Sequence, residues 1–278
     1  MVTVRALSPP DLTDALALAS RHPVENVLLL AKMTRSGLEP IIMGHDVLGA
    51  FDWRGRLLGL VSRSNSLNPV EVDDQAIPAL ARHLGGGRRA SSIVGQRVTV
   101  TRLWAELSRR WPEAWNSPRE FRERQPVLVI DHDPAGPIDP RVTPLGPDLF
   151  EPYYAASLAM YTEEVGQNPD EATGGYRRHV DRLLRRGDAY GIWDGRRVVF
   201  KADIAVAYGP VCQVGGVWLA PDLRGQGLSE AAMAAVVQLC RRRWPIVSLY
   251  VNAYNHRALA LYRRLGFQSI NEFSTILW

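Results

Sequence analysis

Residues Arg224-Gly225-Gln226-Gly227-Leu228-Ser229 stand between an apolar run and an alanine-rich one, and no other junction limits the fold so tightly. Before it, Val214-Gly215-Gly216-Val217-Trp218-Leu219 reads as a strand. After it, Leu228, Ala231, Ala232, Ala235 and Leu239 recur at helical spacing. A glycine turn that opens a helix leaves backbone N–H groups unpaired and facing outward. The helix dipole adds about half a positive charge there. The junction therefore predicts a phosphate site, with the pyrophosphate of a cofactor as the expected occupant.

The chain has 278 residues, enough for two domains. It is 46% hydrophobic and 22% charged, as in ordinary globular proteins. The formal charge is +4, much of it in short clusters such as Arg88-Arg89, Arg185-Arg186 and Arg241-Arg242-Arg243. These read as solvated helix faces or as surface that attracts anions. The excess is too small to argue for nucleic acid. Cys212 and Cys240 are the only cysteines, no CxxC pair occurs, and no His or Cys spacing suits a metal. A reducing, cytoplasmic setting is the expectation. Asp11 and Asp14 interrupt the place where a signal peptide needs an apolar core. No stretch approaches the roughly 18 apolar residues of a membrane span.

Five prolines fall between residues 131 and 147, a run that cannot continue a helix or a central strand. It is expected as a stiff linker between domains at 1–130 and 148–278. The two halves are alike in part. Residues 47–53 and 56–62 flank Arg54-Gly55, and residues 190–193 and 197–206 flank Asp194-Gly195, both as β-hairpins. A helical region precedes each, at 11–33 and 149–186. A shared origin explains this likeness, and so does the commonness of apolar hairpins. In the first half, 74–84 and 100–111 read as amphipathic helices, with Trp104, Leu107 and Trp111 on one core-facing side. Residues 91–95 and 126–130 read as short strands. Gly85-Gly86-Gly87 follows a helix instead of opening one and reads as its C-terminal cap. No cofactor site is expected there.

In the second half, 247–252 alternates as a half-buried strand. Asn255 then suits an N-cap and Gly266 the position after a helix. Asn255, Ala258, Leu259 and Tyr262 share one helical face. Residues 273–278 close the chain as a strand.

The pattern Arg224-x-x-Gly227-x-Ser229 resembles the acyl-CoA pyrophosphate motif of the GNAT superfamily of N-acyltransferases. Asn255-x-x-Ala258-x-x-x-Tyr262-x-x-x-Gly266-Phe267 is similar to the C-terminal motif of that superfamily, in the same order. The last position of the first motif is usually Gly or Ala, and here it is Ser229, whose hydroxyl suits a phosphate. The likeness covers roughly 140–278. Less closely, the first half resembles the uncharacterised domain that precedes GNAT domains in actinobacterial proteins.

The resemblance implies tandem α/β (α+β) GNAT-like domains with mixed sheets, the N-terminal one a degenerate copy without the pyrophosphate loop. It implies acyl transfer from acetyl-CoA or another acyl-CoA to an amine, without a metal. The implied cofactor contacts are the backbone of Val217, Trp218 and Leu219, the loop Arg224, Gly225, Gln226, Gly227, Leu228 and Ser229, and Asn255. The implied general acid is Tyr262, against a plain core role. Glu163, Glu164 and Asp203 are the candidates for the base, against a solvated helix end for the glutamates and an ion pair with Lys201 for Asp203. A non-catalytic CoA-binding module is the second reading and a nucleic-acid binder the third. The acceptor is open between a small molecule and a protein amine, no membrane partner is expected, and a homodimer is compatible.

Overall fold

The computed structural model describes every residue except 44–45, 167–168 and 170–174. Contacts divide the chain into two compact units, and neither is one continuous segment. Unit 1 comprises Met1–Val127, Tyr250–Asn255 and Ser269–Trp278; unit 2 comprises Leu128–Leu249 and His256–Gln268.

In unit 1, β1 (Thr3–Ala6) precedes the helices α1 (Leu12–Ala19), α2 (Val27–Ser36) and α3 (Pro40–Met43). The expected single helical region is thus broken around Pro23, whose ring cannot sit inside a helix. Then come β2 (Val47–Phe51), β3 (Leu57–Arg63), β4 (Ser66–Val70), α4 (Ile77–Leu84), β5 (Ser92–Gln96), α5 (Arg97–Arg110), α6 (Pro112–Trp115) and β6 (Glu120–Ile130). Strands β1 to β4 form an antiparallel meander, and β5 lies parallel to β4 after the α4 crossover. Buried Leu48, Val61, Leu80, Ile93, Val100, Leu103 and Leu107 form the core beneath this sheet. Gly85 caps α4 with φ +70 and donates its N–H to Ala81. Trp111 is a correction: it is 39% exposed, because α5 ends one residue before it and its ring lies against Gly86 instead.

Unit 2 repeats the plan. After β7 (Thr143–Pro144) come α7 (Phe150–Val165) and α8 (Gly175–Arg186). Then follow β8 (Ala189–Trp193), β9 (Val198–Tyr208) and β10 (Val211–Leu219), antiparallel in turn. Helix α9 (Leu228–Arg241) crosses over to β11 (Ile246–Tyr250), which is parallel to β10. Each unit is therefore a four-strand meander, two or more helices inside its first connection, and a parallel fifth strand. The proline run is held in unit 2: Asp139 pairs with Arg141 and donates its N–H to Ala231, and Val142 and Leu145 are buried. Helix α10 (His256–Leu265) ends at Gly266, φ +102. The chain closes with β12 (Gln268–Leu277), which pairs with β5, so its residues from Ser269 onward group with unit 1. No described helix is long and apolar enough to cross a membrane.

Candidate active site

In both units the parallel pair of strands comes apart. Strand β4 meets β5 only at Ser66–Ser92 and Leu67–Ile93. Strand β10 meets β11 only from Val211–Ile246 to Gln213–Ser248, although β10 runs on to Leu219. Among the described residues, the last six residues of β10 have no partner on that edge. Helix α9 follows at the far end of this uncovered edge.

The turn into α9 is built by glycine. Gly225 and Gly227 have φ +79 and +77, a region where side chains are strained. Apart from the adjoining residues, no atom lies within 4 Å of the place where a Cβ would stand at either. Gly227 is the N-cap of α9 and no side chain caps it. The amides of residues 225–229 find no backbone acceptor among the described residues. Open space, outward donors and the positive end of a 14-residue helix together fit a pyrophosphate.

Among the described residues, the corresponding crossover helix of unit 1, α4, does not open on such a turn. The carboxylate of Asp73 accepts the N–H of Gln75 at 3.0 Å, just ahead of α4, and Asp74 follows it. An anion approaching there meets two carboxylates. Asn68 also donates to the carbonyl of Val94 at 2.7 Å, bridging the two strands where they part.

Within this uncovered stretch, β10 carries a bulge. Gly215 pairs with Asp203 and Trp218 with Lys201, so one extra residue is accommodated on β10. Gly216 has φ +58 there. A Cβ on Gly216 would collide with the Asp203 carboxylate and stand 2.9 Å from Lys201 Nζ. Lys201 is fully buried; its Nζ donates to Asp203 Oδ2 at 2.7 Å and to the Gly216 carbonyl at 3.1 Å. It also lies 5.1 Å from the Tyr153 ring centroid. The Tyr153 hydroxyl donates to Asp203 in turn. Asp203 is thus closed in by an ammonium and a phenol.

The two glutamates stand in the last turn of α7. Glu163 accepts from the two terminal guanidinium nitrogens of Arg224, at 2.5 and 2.9 Å, and from Trp218 Nε1 at 3.0 Å. The guanidinium holds its carboxyl below the usual carboxylate range, opposed by partial burial and aided by Trp218. Arg224 Nε also donates to the Leu219 carbonyl at 3.0 Å. An apolar groove of about 500 Å³ runs beside Glu163, lined by Leu158, Ala159, Thr162, Trp218 and Pro221. The charge of exposed Glu164 acts instead on Tyr262.

Tyr262, in α10, is buried, with its ring edge-on to Phe267 at 5.5 Å. Burial and then Glu164 push its phenol well above the ordinary tyrosine value. Asn255 is exposed and stands immediately before α10. Val217 and Trp218 are half-buried and Leu219 is buried.

Of the expected residues, the structure joins Glu163 to Arg224 and Trp218, and brings Glu164 into the field of Tyr262. Sequence reasoning missed Tyr153 and Gly216. A Gly215-Gly216 pair inside a strand is the signal that marks such a bulge.

Residues 155–267 match the family model described as acetyltransferase (GNAT) family. Residues 45–153 match the domain of unknown function DUF4081. No curated protein matches the chain. Among solved structures, a GNAT-family acetyltransferase from Colwellia psychrerythraea is similar at TM-score 0.61 and 13% identity, over 100% of this chain and 99% of that one. A GCN5-related N-acetyltransferase from Sphaerobacter thermophilus aligns at TM-score 0.62 and 17% identity, over 99% and 94%. A tandem GNAT protein from the clavulanic acid biosynthesis pathway aligns at TM-score 0.57 and 13% identity, over 99% and 98%. With the fold matched end to end and the family model lying mostly within unit 2, the chain carries a GNAT-family acetyltransferase domain at residues 155–267, preceded by a DUF4081 region in a tandem arrangement.

Proposed function

We propose that unit 2 transfers an acyl group, acetyl foremost, from acyl-CoA to a primary amine by direct attack of the amine on the thioester. The observation that carries this reading is the uncovered edge of β10, which runs past the end of its pairing with β11 toward the glycine turn of α9. Such an edge accepts an amide-bearing arm as a further strand, through the backbone of Val217 and Leu219. The amides of residues 225–229 and the hydroxyl of Ser229 take the pyrophosphate. Asn255 is assigned to the pantetheine by its motif.

When bound, acyl-CoA supplies an activated thioester, whose C–S bond breaks as the C–N bond forms. The amine must first lose a proton, since a free lysine-type amine has a pKa near 10.4. Glu164 is the assigned acceptor of that proton. Glu163 is the poorer choice, because its lone pairs are engaged by Arg224 and Trp218. Asp203 is poorer still, being buried between Lys201 and Tyr153. Tyr262 stays protonated at neutral pH and gives its proton to the departing thiolate.

We retain 1–130 and 148–278 as the two modules along the sequence, joined by 131–147, although 131–147 groups with unit 2 and residues 250–255 and 269–278 with unit 1; the matched family regions meet just after that joint. A cytoplasmic setting belongs to the proposal too, in which buried Cys212 and Cys240 stay as free thiols.

The test is release of free CoA thiol from acetyl-CoA by the full chain, with a panel of small amines and amine-bearing peptides. Thiol release that depends on one class of amine supports the reading. Binding of CoA without turnover on any of them would replace it with the non-catalytic module.

A further inference from the structure

Lys201 is a buried cation, and its place needs a reason. A buried ion pair is weak evidence for stability, because apolar side chains of similar size do as well or better. The reason lies in what the ammonium holds. Its donors go to Asp203 Oδ2 at 2.7 Å, to the Gly216 carbonyl at 3.1 Å, and toward Met160 Sδ at 3.7 Å. Asp203 is pinned by the Tyr153 hydroxyl, so the ammonium is fixed from its carboxylate side as well.

The consequence falls on the backbone of β10. The Gly216–Val217 peptide is trans and planar, so its C=O and N–H point in opposite directions. With the Gly216 carbonyl drawn to Lys201, the N–H of Val217 is turned away from the buried ammonium. Residues 215–218 are half-buried, so this part of the strand is open to a ligand. Only glycine suits position 216, by its φ of +58 and by the carboxylate beside it. The bulge, the glycine and the buried lysine thus specify one peptide orientation.

We propose that Lys201 is a positioning residue: by gripping the Gly216 carbonyl, with Asp203 and Tyr153 holding it in place, it aims the Val217 N–H at the acyl carbonyl of the thioester. This rests on the acyl-CoA reading given above. A donor fixed before the reaction stabilises developing negative charge without reorganising.

The test needs no acceptor. The full chain is titrated calorimetrically with acetyl-CoA, and the thioester carbonyl of bound [1-¹³C]acetyl-CoA is then read by isotope-edited infrared spectroscopy. In the wild type the carbonyl stretch should fall below that of free acetyl-CoA. In Lys201→Met it should return toward the free value, while Kd stays within about threefold. A merely structural lysine would change binding and folding, not the stretch at constant binding. An unchanged stretch in Lys201→Met, or a wild-type stretch equal to the free value, overturns the assignment. If Lys201→Met does not fold, Lys201→Met/Asp203→Leu leaves neither member of the ion pair behind as an unpaired charge and is read the same way. Failure of both to fold assigns Lys201 to the fold and overturns the positioning role. A wild type that binds no acetyl-CoA fails the acyl-CoA reading itself, in the calorimeter and before any spectrum, and this inference falls with it.

Discussion

Glu163 and Arg224 meet in a two-pronged ion pair, at 2.5 and 2.9 Å, that ties the last turn of α7 to the first residue of the glycine turn. The pair gives the two adjacent glutamates different expected behaviour. Loss of a general base costs about 10²–10⁴-fold in turnover. Glu164→Gln should fall in that range. Glu163→Gln should change turnover by less than about threefold, well below that range, and should lower the Kd for CoA by freeing Arg224. Thiol-release kinetics and calorimetry on both variants check this, and the reverse ranking would exchange the two roles.

Tyr262 is assigned a proton that it releases only late in the reaction. Tyr262→Phe keeps the ring and its packing on Phe267 at 5.5 Å. Turnover should drop about 10²-fold or more, with little change in CoA affinity. Equal turnover would leave Tyr262 a core residue.

Gly216 should tolerate no side chain. Gly216→Ala forces a Cβ into a left-handed conformation and against Asp203 and Lys201. The expected destabilisation is about 2–4 kcal/mol, from backbone strain and overpacking together. Denaturant unfolding of the full chain, read from a probe in unit 2 such as Trp218, measures it.

One pH dependence follows from unit 1. Arg5 grips Asp11 at 2.6 and 2.7 Å, and this contact above all brings its carboxyl down from 3.8 to about 2. The folded value lies below the unfolded one, so the contact stabilises fully above about pH 4 and fades as pH falls toward 2. Arg5→Ala should therefore be less stable than wild type at neutral pH, and the gap should close between about pH 4 and 2. Denaturant midpoints of both proteins across that range give the answer, and a gap independent of pH would show that the stabilisation by Arg5 does not act through the Asp11 carboxylate.

The glycine turn was legible because its demands are local: two glycines at positive φ, then a helix with no capping side chain. Gly266 and Gly85 were legible as helix ends for the same reason. Lys201 and Asp203 could be placed on one face from their spacing alone. Their links to Tyr153 and Gly216 could not, because these join residues 50 and 15 positions apart through the packing of α7 on the sheet. Arg224 and Glu163 are separated by 61 residues, and nothing local to either names the other. The last strand was legible as a strand, but periodicity says nothing about its neighbours, β5 among them. Trp111 misled because helical spacing placed it on the core side, while α5 ends just before it.

Calorimetric titration of the full chain with acetyl-CoA, beside Gly227→Asp, decides whether the turn before α9 holds the pyrophosphate. Wild type should bind one equivalent in the micromolar to millimolar range usual for enzyme substrates. The variant, with a carboxylate set at the mouth of the α9 turn, should bind far more weakly. Absence of binding by the wild type at millimolar acetyl-CoA, or equal binding by the two proteins, would contradict the assignment of the turn to the pyrophosphate.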